Sequence, residues 1–216
     1  MALARELGGA VALALGRADV VAGRPVADRV EELAWLPAAG LFLGGIVGVV
    51  DSAVPAPWSG LVGAILLAVA HGPPRRWGLR VGAVLASAAA LLTVAPAARM
   101  LALVVAPMLA RWAVVVQCYG GRAAPDAAGI AALAGRARFR EFAVASVTAL
   151  VITLVLLDAV GLAIAVACAL ATLAIRVLAY RRAAGLGEAA LEATATVVET
   201  LVIVLLSSIG SILGPR

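Results

Sequence analysis

The chain of 216 residues contains no lysine and no asparagine, one histidine, one glutamine and two cysteines. Aromatic residues make up 4 % and charged residues 13 %. Each shortage excludes something. A soluble domain of this length carries about twice that charge. No basic tract interleaved with aromatics exists to grip a nucleic acid, and no nucleic-acid partner is expected. Cys118 and Cys168 lie in or beside apolar runs, without metal-type spacing, and read as buried thiols. With His71 as the lone imidazole, a histidine-rich metal centre is also excluded.

What is present is apolar: 64 % of residues, with a mean hydropathy of +1.11. That composition describes an all-α integral membrane protein whose partner is the lipid bilayer. Seven apolar segments are expected to span it: 33–50, 57–71, 79–96, 100–119, 142–158, 160–179 and 193–213. Residues 1–32 read as a cytosolic or interfacial N-terminal segment, and 33–213 as one polytopic membrane domain. The longest polar interval, about 119–141, is only loop-sized.

All 17 basic residues are arginine, and their placement tests the seven spans. Arg5, Arg17, Arg24, Arg29, Arg75, Arg76, Arg80, Arg122, Arg136, Arg138, Arg140, Arg176, Arg181 and Arg182 fall on one side, and Arg99 and Arg216 on the other. Fourteen against two puts the N-terminus in the cytoplasm and the C-terminus outside, because cytoplasmic loops carry the positive excess. The expected location is a bacterial inner (cytoplasmic) membrane, crossed several times. Glycine pairs such as Gly44-Gly45, followed by Gly48, suit close helix approach in lipid.

Arg111 is the seventeenth arginine and lies inside an apolar run. A guanidinium at such depth costs about 3 kcal/mol on insertion scales, so it needs a partner or a route to the interface. Two readings stand side by side: a cation facing a polar cavity, or a side chain climbing about two turns to the cytoplasmic end. Glu188, Glu192 and Glu199 bear on the choice. Offsets of 4 and 7 residues bring them within about 40° on one helical face, with Glu199 about 10 Å deeper than Glu192. Glu199 is the expected partner of Arg111. Glu188 and Glu192 at the mouth would either join a Mg2+ site or remain solvated interface acids. His71, before Pro73-Pro74, and Arg136 and Arg138, in a basic segment, are candidate substrate contacts. Asp51 and Asp158 read as outer interface caps.

Four fragments occur in order: LPAAGLFLGGIVGVV (36–50), GLRVGAVLASAAALL (78–92), APMLARWAVVVQCYGGRA (106–123) and RRAAGLGEAALEATATVVETLVIVLL (181–206). Together they resemble cobalamin synthase, the polytopic adenosylcobinamide-GDP ribazoletransferase. The resemblance implies a Mg2+-dependent transferase that joins GDP-activated cobinamide to α-ribazole or its phosphate, releasing GMP. Its substrates would be corrinoid, and its partners other cobamide-synthesis enzymes. It further implies catalytic roles for Arg111 and Glu199 and metal contacts for Glu188 and Glu192. The family's acidic box, His-x-Asp-Gly-x-x-Asp, is absent: the corresponding stretch reads His71-Gly72-Pro73-Pro74-Arg75-Arg76-Trp77. A divergent enzyme and a non-catalytic paralogue, acting as a membrane scaffold or corrinoid-binding subunit, are both compatible with that loss.

Overall fold

The computed structural model describes residues 8–12, 29–70 and 77–213. These residues are helical apart from connecting turns and two isolated bridges, Tyr119 to Ala137 and Ala123 to Leu186. A 3-10 helix at Val30–Trp35 leads into α1 (Leu36–Ala53), followed by α2 (Leu61–Ala70), α3 (Trp77–Leu92) and α4 (Pro96–Cys118). A 3-10 turn at Gly129–Leu133 precedes α5 (Phe139–Ala183) and α6 (Glu188–Leu213). Pro37 and Pro96 stand in the first turns of α1 and α4, where a missing N–H costs nothing.

Among the described residues, four helical stretches are long and apolar enough to cross a membrane: Val30–Ala53, Pro96–Cys118, Phe139–Ala183 and Glu188–Ile209. Helices α2, with 10 residues, and α3, with 16, are shorter. At 1.5 Å per residue they reach about 15 and 24 Å, against a hydrocarbon core of about 30 Å. Pro55 and Pro57 precede α2 and delay its start.

Helix α5 is a hairpin rather than one rod. Asp158 has φ 51° and ψ −140°, which breaks the helix. A Cβ on Gly161 would stand 2.7 Å from the Thr153 carbonyl oxygen, whereas residues eight apart on a straight helix are about 12 Å apart. The two arms, 139–157 and 159–183, therefore lie side by side, and Asp158 forms the tip.

Helix α4 is the hub and packs on α1, α5 and α6. Leu103, Val105, Met108, Leu109 and Val115 are fully or almost fully buried along it. Its closest neighbour is a glycine face of α1. Pro107 has no N–H, so the Leu103 carbonyl lacks its helical donor. Gly44 packs against that carbonyl, and an added Cβ would come within 2.5 Å of the oxygen. Gly40 lies equally close to the Pro107 carbonyl, and Gly48 meets Met100.

Two polar clamps hold the ends. Asp51 is buried and accepts the Gly60 and Gly63 N–H groups, capping the start of α2. Its second oxygen meets Arg99 Nε at 3.1 Å. Near the N-terminus, Arg29 pairs with Glu32 and donates to the Gly9 carbonyl at 3.1 Å. Ala10 is buried against the bundle. The remainder of the expected N-terminal segment, residues 1–7 and 13–28, lies outside the described residues.

Candidate functional site

The polar interior is built where α3, α4 and α6 meet. Residues 192, 196, 199 and 200 of α6 share one face by helical spacing. Arg80, one turn into α3, is buried and crosses to that face. Its Nη2 donates to Glu192 Oε1 at 2.9 Å, and its Nη1 donates to the Ala68 carbonyl near the end of α2. One guanidinium thus ties α2, α3 and α6 together. Two turns deeper, Arg111 and Glu199 are both 8 % exposed. The charges of Arg111, Arg80 and Glu199 act on one another, which puts the deep arginine of α4 and the deep acid of α6 in one cluster.

A cavity of about 20 Å³ lies beside this cluster, lined by Arg80, Ser87, Thr196, Glu199 and Thr200 together with Ala64, Leu67 and Ala68. One water fits in such a volume, and a nucleotide or a corrin does not. Among the described residues, the Nε atoms of Arg80 and Arg111 have no hydrogen-bond partner. Among the described residues the cluster holds Arg80, Arg111, Glu192 and Glu199, and of these Arg80 and Glu199 line the hole.

A second buried network closes the C-terminal end of α4. Gln117 is fully buried. Its Nε2 donates to the Thr172 carbonyl at 2.9 Å and to Thr194 Oγ1 at 3.0 Å. Its Oε1 accepts from Arg176 Nε at 3.0 Å. Arg176 Nη2 also donates to the carbonyls of Val116, Gln117 and Tyr119, at 3.1 Å for the last two. The last carbonyls of a helix lack intrahelical donors, and an arginine satisfies them here. From this joint the 119–138 connection folds back on itself. Gly135 N donates to the Cys118 carbonyl at 2.8 Å, and Tyr119 stacks on Phe142 at 4.4 Å.

The sequence-derived candidates are distributed unevenly over this arrangement. Arg111 and Glu199 are in the cluster. Glu192 is there too, held by Arg80. Glu188 stands at the start of α6 with its carboxylate against Gly129 of the 3-10 turn. Arg136 and Arg138 are exposed; the Arg138 N–H donates to Glu141 Oε2 at 2.9 Å at the start of α5. His71 lies outside the described residues, as do Arg75 and Arg76.

Sequence reasoning missed Arg80, Gln117 and Arg176 as interior groups. Arg80 and Arg176 were counted only as cytoplasmic positive charge. A signal existed for two of them. Arg80 falls inside the apolar helix that begins at Trp77, and Gln117 is the chain's single carboxamide, placed within an apolar run.

A magnesium site was expected from Glu188 and Glu192. Among the described residues, no three His, Cys, Asp or Glu side chains are disposed around a common point. Glu192 already faces a guanidinium, and Glu188 lies apart at the loop. These residues do not fit the metal, so no chemical step is routed through it.

The family model for cobalamin-5-phosphate synthase matches residues 79–207. This range covers Arg80, Arg111, Gln117, Arg176, Glu192 and Glu199. No curated protein and no solved structure matches the chain.

Proposed function

The chain belongs to the cobalamin-5-phosphate synthase family and has its role in cobalamin synthesis, and we propose that it acts there as the transferase of the lower-ligand joining step. In that reaction the phosphate attached to cobinamide in adenosylcobinamide-GDP is attacked by the ribose hydroxyl of α-ribazole or its phosphate. The new P–O bond gives adenosylcobalamin or its phosphate, and GMP leaves with the electrons of the cleaved bond. The observation that carries this reading is the family match over more than half the chain, which contains the whole buried charge cluster.

The proposed topology is seven crossings with a cytoplasmic N-terminus, in a bacterial inner membrane. It draws support from the arginine distribution and from the hairpin at Asp158. Chemistry would then occur on the side of the 119–138 connection. There Arg136 and Arg138, exposed, would meet the diphosphate, and His71 would stand on the same side. Arg111 and Glu199 would brace the bundle beneath rather than touch the substrate, because the cavity beside them admits one water. Cysteine labelling tests the sidedness. In inside-out vesicles D126C should react with an impermeant maleimide and A159C should not.

The test of the reaction is GMP release by protein in lipid vesicles supplied with adenosylcobinamide-GDP, α-ribazole and Mg2+. Release above empty vesicles and above Arg111→Ala supports the transferase. The second reading is a non-catalytic paralogue that binds corrinoid or docks the enzymes of the pathway. The missing aspartates at 71–77 and the arginine-held Glu192 favour it. It predicts saturable corrinoid binding without GMP.

A further inference from the structure

We infer that Arg80 takes the place of a divalent cation between the acids of α6, so that a guanidinium and not a metal balances Glu192 and Glu199. Three observations carry this. First, the acid at the mouth is already engaged: Arg80 Nη2 is 2.9 Å from Glu192 Oε1, with the two side chains 8 % and 16 % exposed. A metal ion placed on that carboxylate would have a guanidinium as its neighbour, and like charges at such range repel.

Second, the space is wrong for a metal. Mg2+ requires six oxygens in octahedral array and usually keeps several waters. The cavity between Arg80 and Glu199 has about 20 Å³, room for one water and no more. Third, Arg80 reaches what a bridging ion would reach. It holds Glu192, it holds the Ala68 carbonyl, and it lines the cavity together with Glu199, Thr196, Thr200 and Ser87. Arg111 is the larger of the two cationic influences on Glu199, and Arg80 adds to it.

Among the described residues, no other carboxylate completes a metal site. Glu188 is turned to Gly129, and Glu141 accepts the Arg138 N–H. Residues 71–76 read His-Gly-Pro-Pro-Arg-Arg and contain no acid. A planar guanidinium with five donors is the residue type suited to joining carboxylate and carbonyl oxygens from different helices.

This inference stands apart from the transferase reading, because its readout is metal binding rather than GMP. A protein that releases GMP yet binds no metal without substrate satisfies both, since a diphosphate can bring its own cation. The test uses purified full-length protein with Mn2+ alone as the probe. Free Mn2+ is followed by its paramagnetic resonance, and thermal unfolding is measured with Mn2+ and with EDTA. Wild type is expected to bind no Mn2+ and to melt at the same temperature in both. Arg80→Gln leaves Glu192 and Glu199 without their bridge. It should melt several degrees lower in EDTA and recover part of that loss in Mn2+.

Saturable Mn2+ binding by wild type that is lost in Glu192→Gln or Glu199→Gln overturns the inference. So does an Arg80→Gln protein that folds and gains nothing from Mn2+. If Arg80→Gln does not fold, the comparison of wild type with Glu192→Gln decides.

Discussion

Arg176 Nε donates to Gln117 Oε1 at 3.0 Å, joining the second arm of the α5 hairpin to the last turn of α4. The same guanidinium caps the carbonyls that end α4, and the same carboxamide reaches Thr194 on α6. Three helices and the start of the 119–138 connection therefore depend on two side chains.

Replacing Gln117 by Leu removes one acceptor and two donated bonds from a fully buried position. Each orphaned buried polar group costs about 1–3 kcal/mol. Interhelical hydrogen bonds in lipid are worth about 0.6–2 kcal/mol. The expected outcome is a loss of about 2 kcal/mol for Gln117→Leu, measured by thermal unfolding in detergent. Equal stability would show that the network does not hold these helices.

The α1–α4 contact discriminates between neighbouring glycines. A Cβ at Gly44 would come within 2.5 Å of the Leu103 oxygen, and one at Gly45 would meet nothing within 4 Å. Gly44→Ala should therefore destabilise, by about 1–3 kcal/mol for overpacking. Gly45→Ala should be neutral or stabilising by up to about 1 kcal/mol, from helix propensity alone. Unfolding of the two variants side by side checks the rotation of α1. Identical behaviour would mean that the helix presents a different face to α4.

Arg111 and Glu199 are expected to be energetically coupled. Arg111→Leu leaves a buried acid with less compensation, so it should cost more than Glu199→Gln. Breaking a buried pair from one side typically costs about 3–5 kcal/mol. The double variant should be less damaging than the sum, with a coupling of about 1–3 kcal/mol in a double-mutant cycle. Strict additivity would place the two charges in separate surroundings.

Asp51 is expected to matter for the start of α2. Asp51→Ala removes the acceptor of two N–H groups and the partner of Arg99. Asp51→Asn keeps an acceptor oxygen and loses the ion pair. Loss of a cap costs about 0.5–2 kcal/mol, so Ala should exceed Asn in effect. Hydrogen exchange at residues 60–64 reads this directly; unchanged protection in Asp51→Ala would remove the cap.

A good part of the protein was legible in the chain. Hydropathy is a local and additive property, and the helices fall where the apolar segments lie. Helix breakers are local as well: Pro55 and Pro57 delay the start of α2, and the arginine-free connection at Asp158 proved to be a tight hairpin tip. The depth of Arg111 and Glu199 could be counted along their helices, which brought them to a similar level. The exposed Arg136 and Arg138 were recognisable as loop cations for the same reason.

Partnership was decided only in three dimensions. Glu192 looked free to hold a metal until Arg80, 112 residues away in sequence, was found on it. Asp51 looked like a simple interface cap until Gly60, Gly63 and Arg99 gathered round it. The physical reason is rotational. Ala, Val, Leu and Gly cover every face of these helices, so the apolar pattern sets where each helix runs but leaves its rotation about its axis open. Rotation is settled by close packing, such as Gly44 on the carbonyl that Pro107 leaves free. Once it is settled, Arg80, Arg99 and Arg176 each reach a carboxylate or carbonyl on another helix.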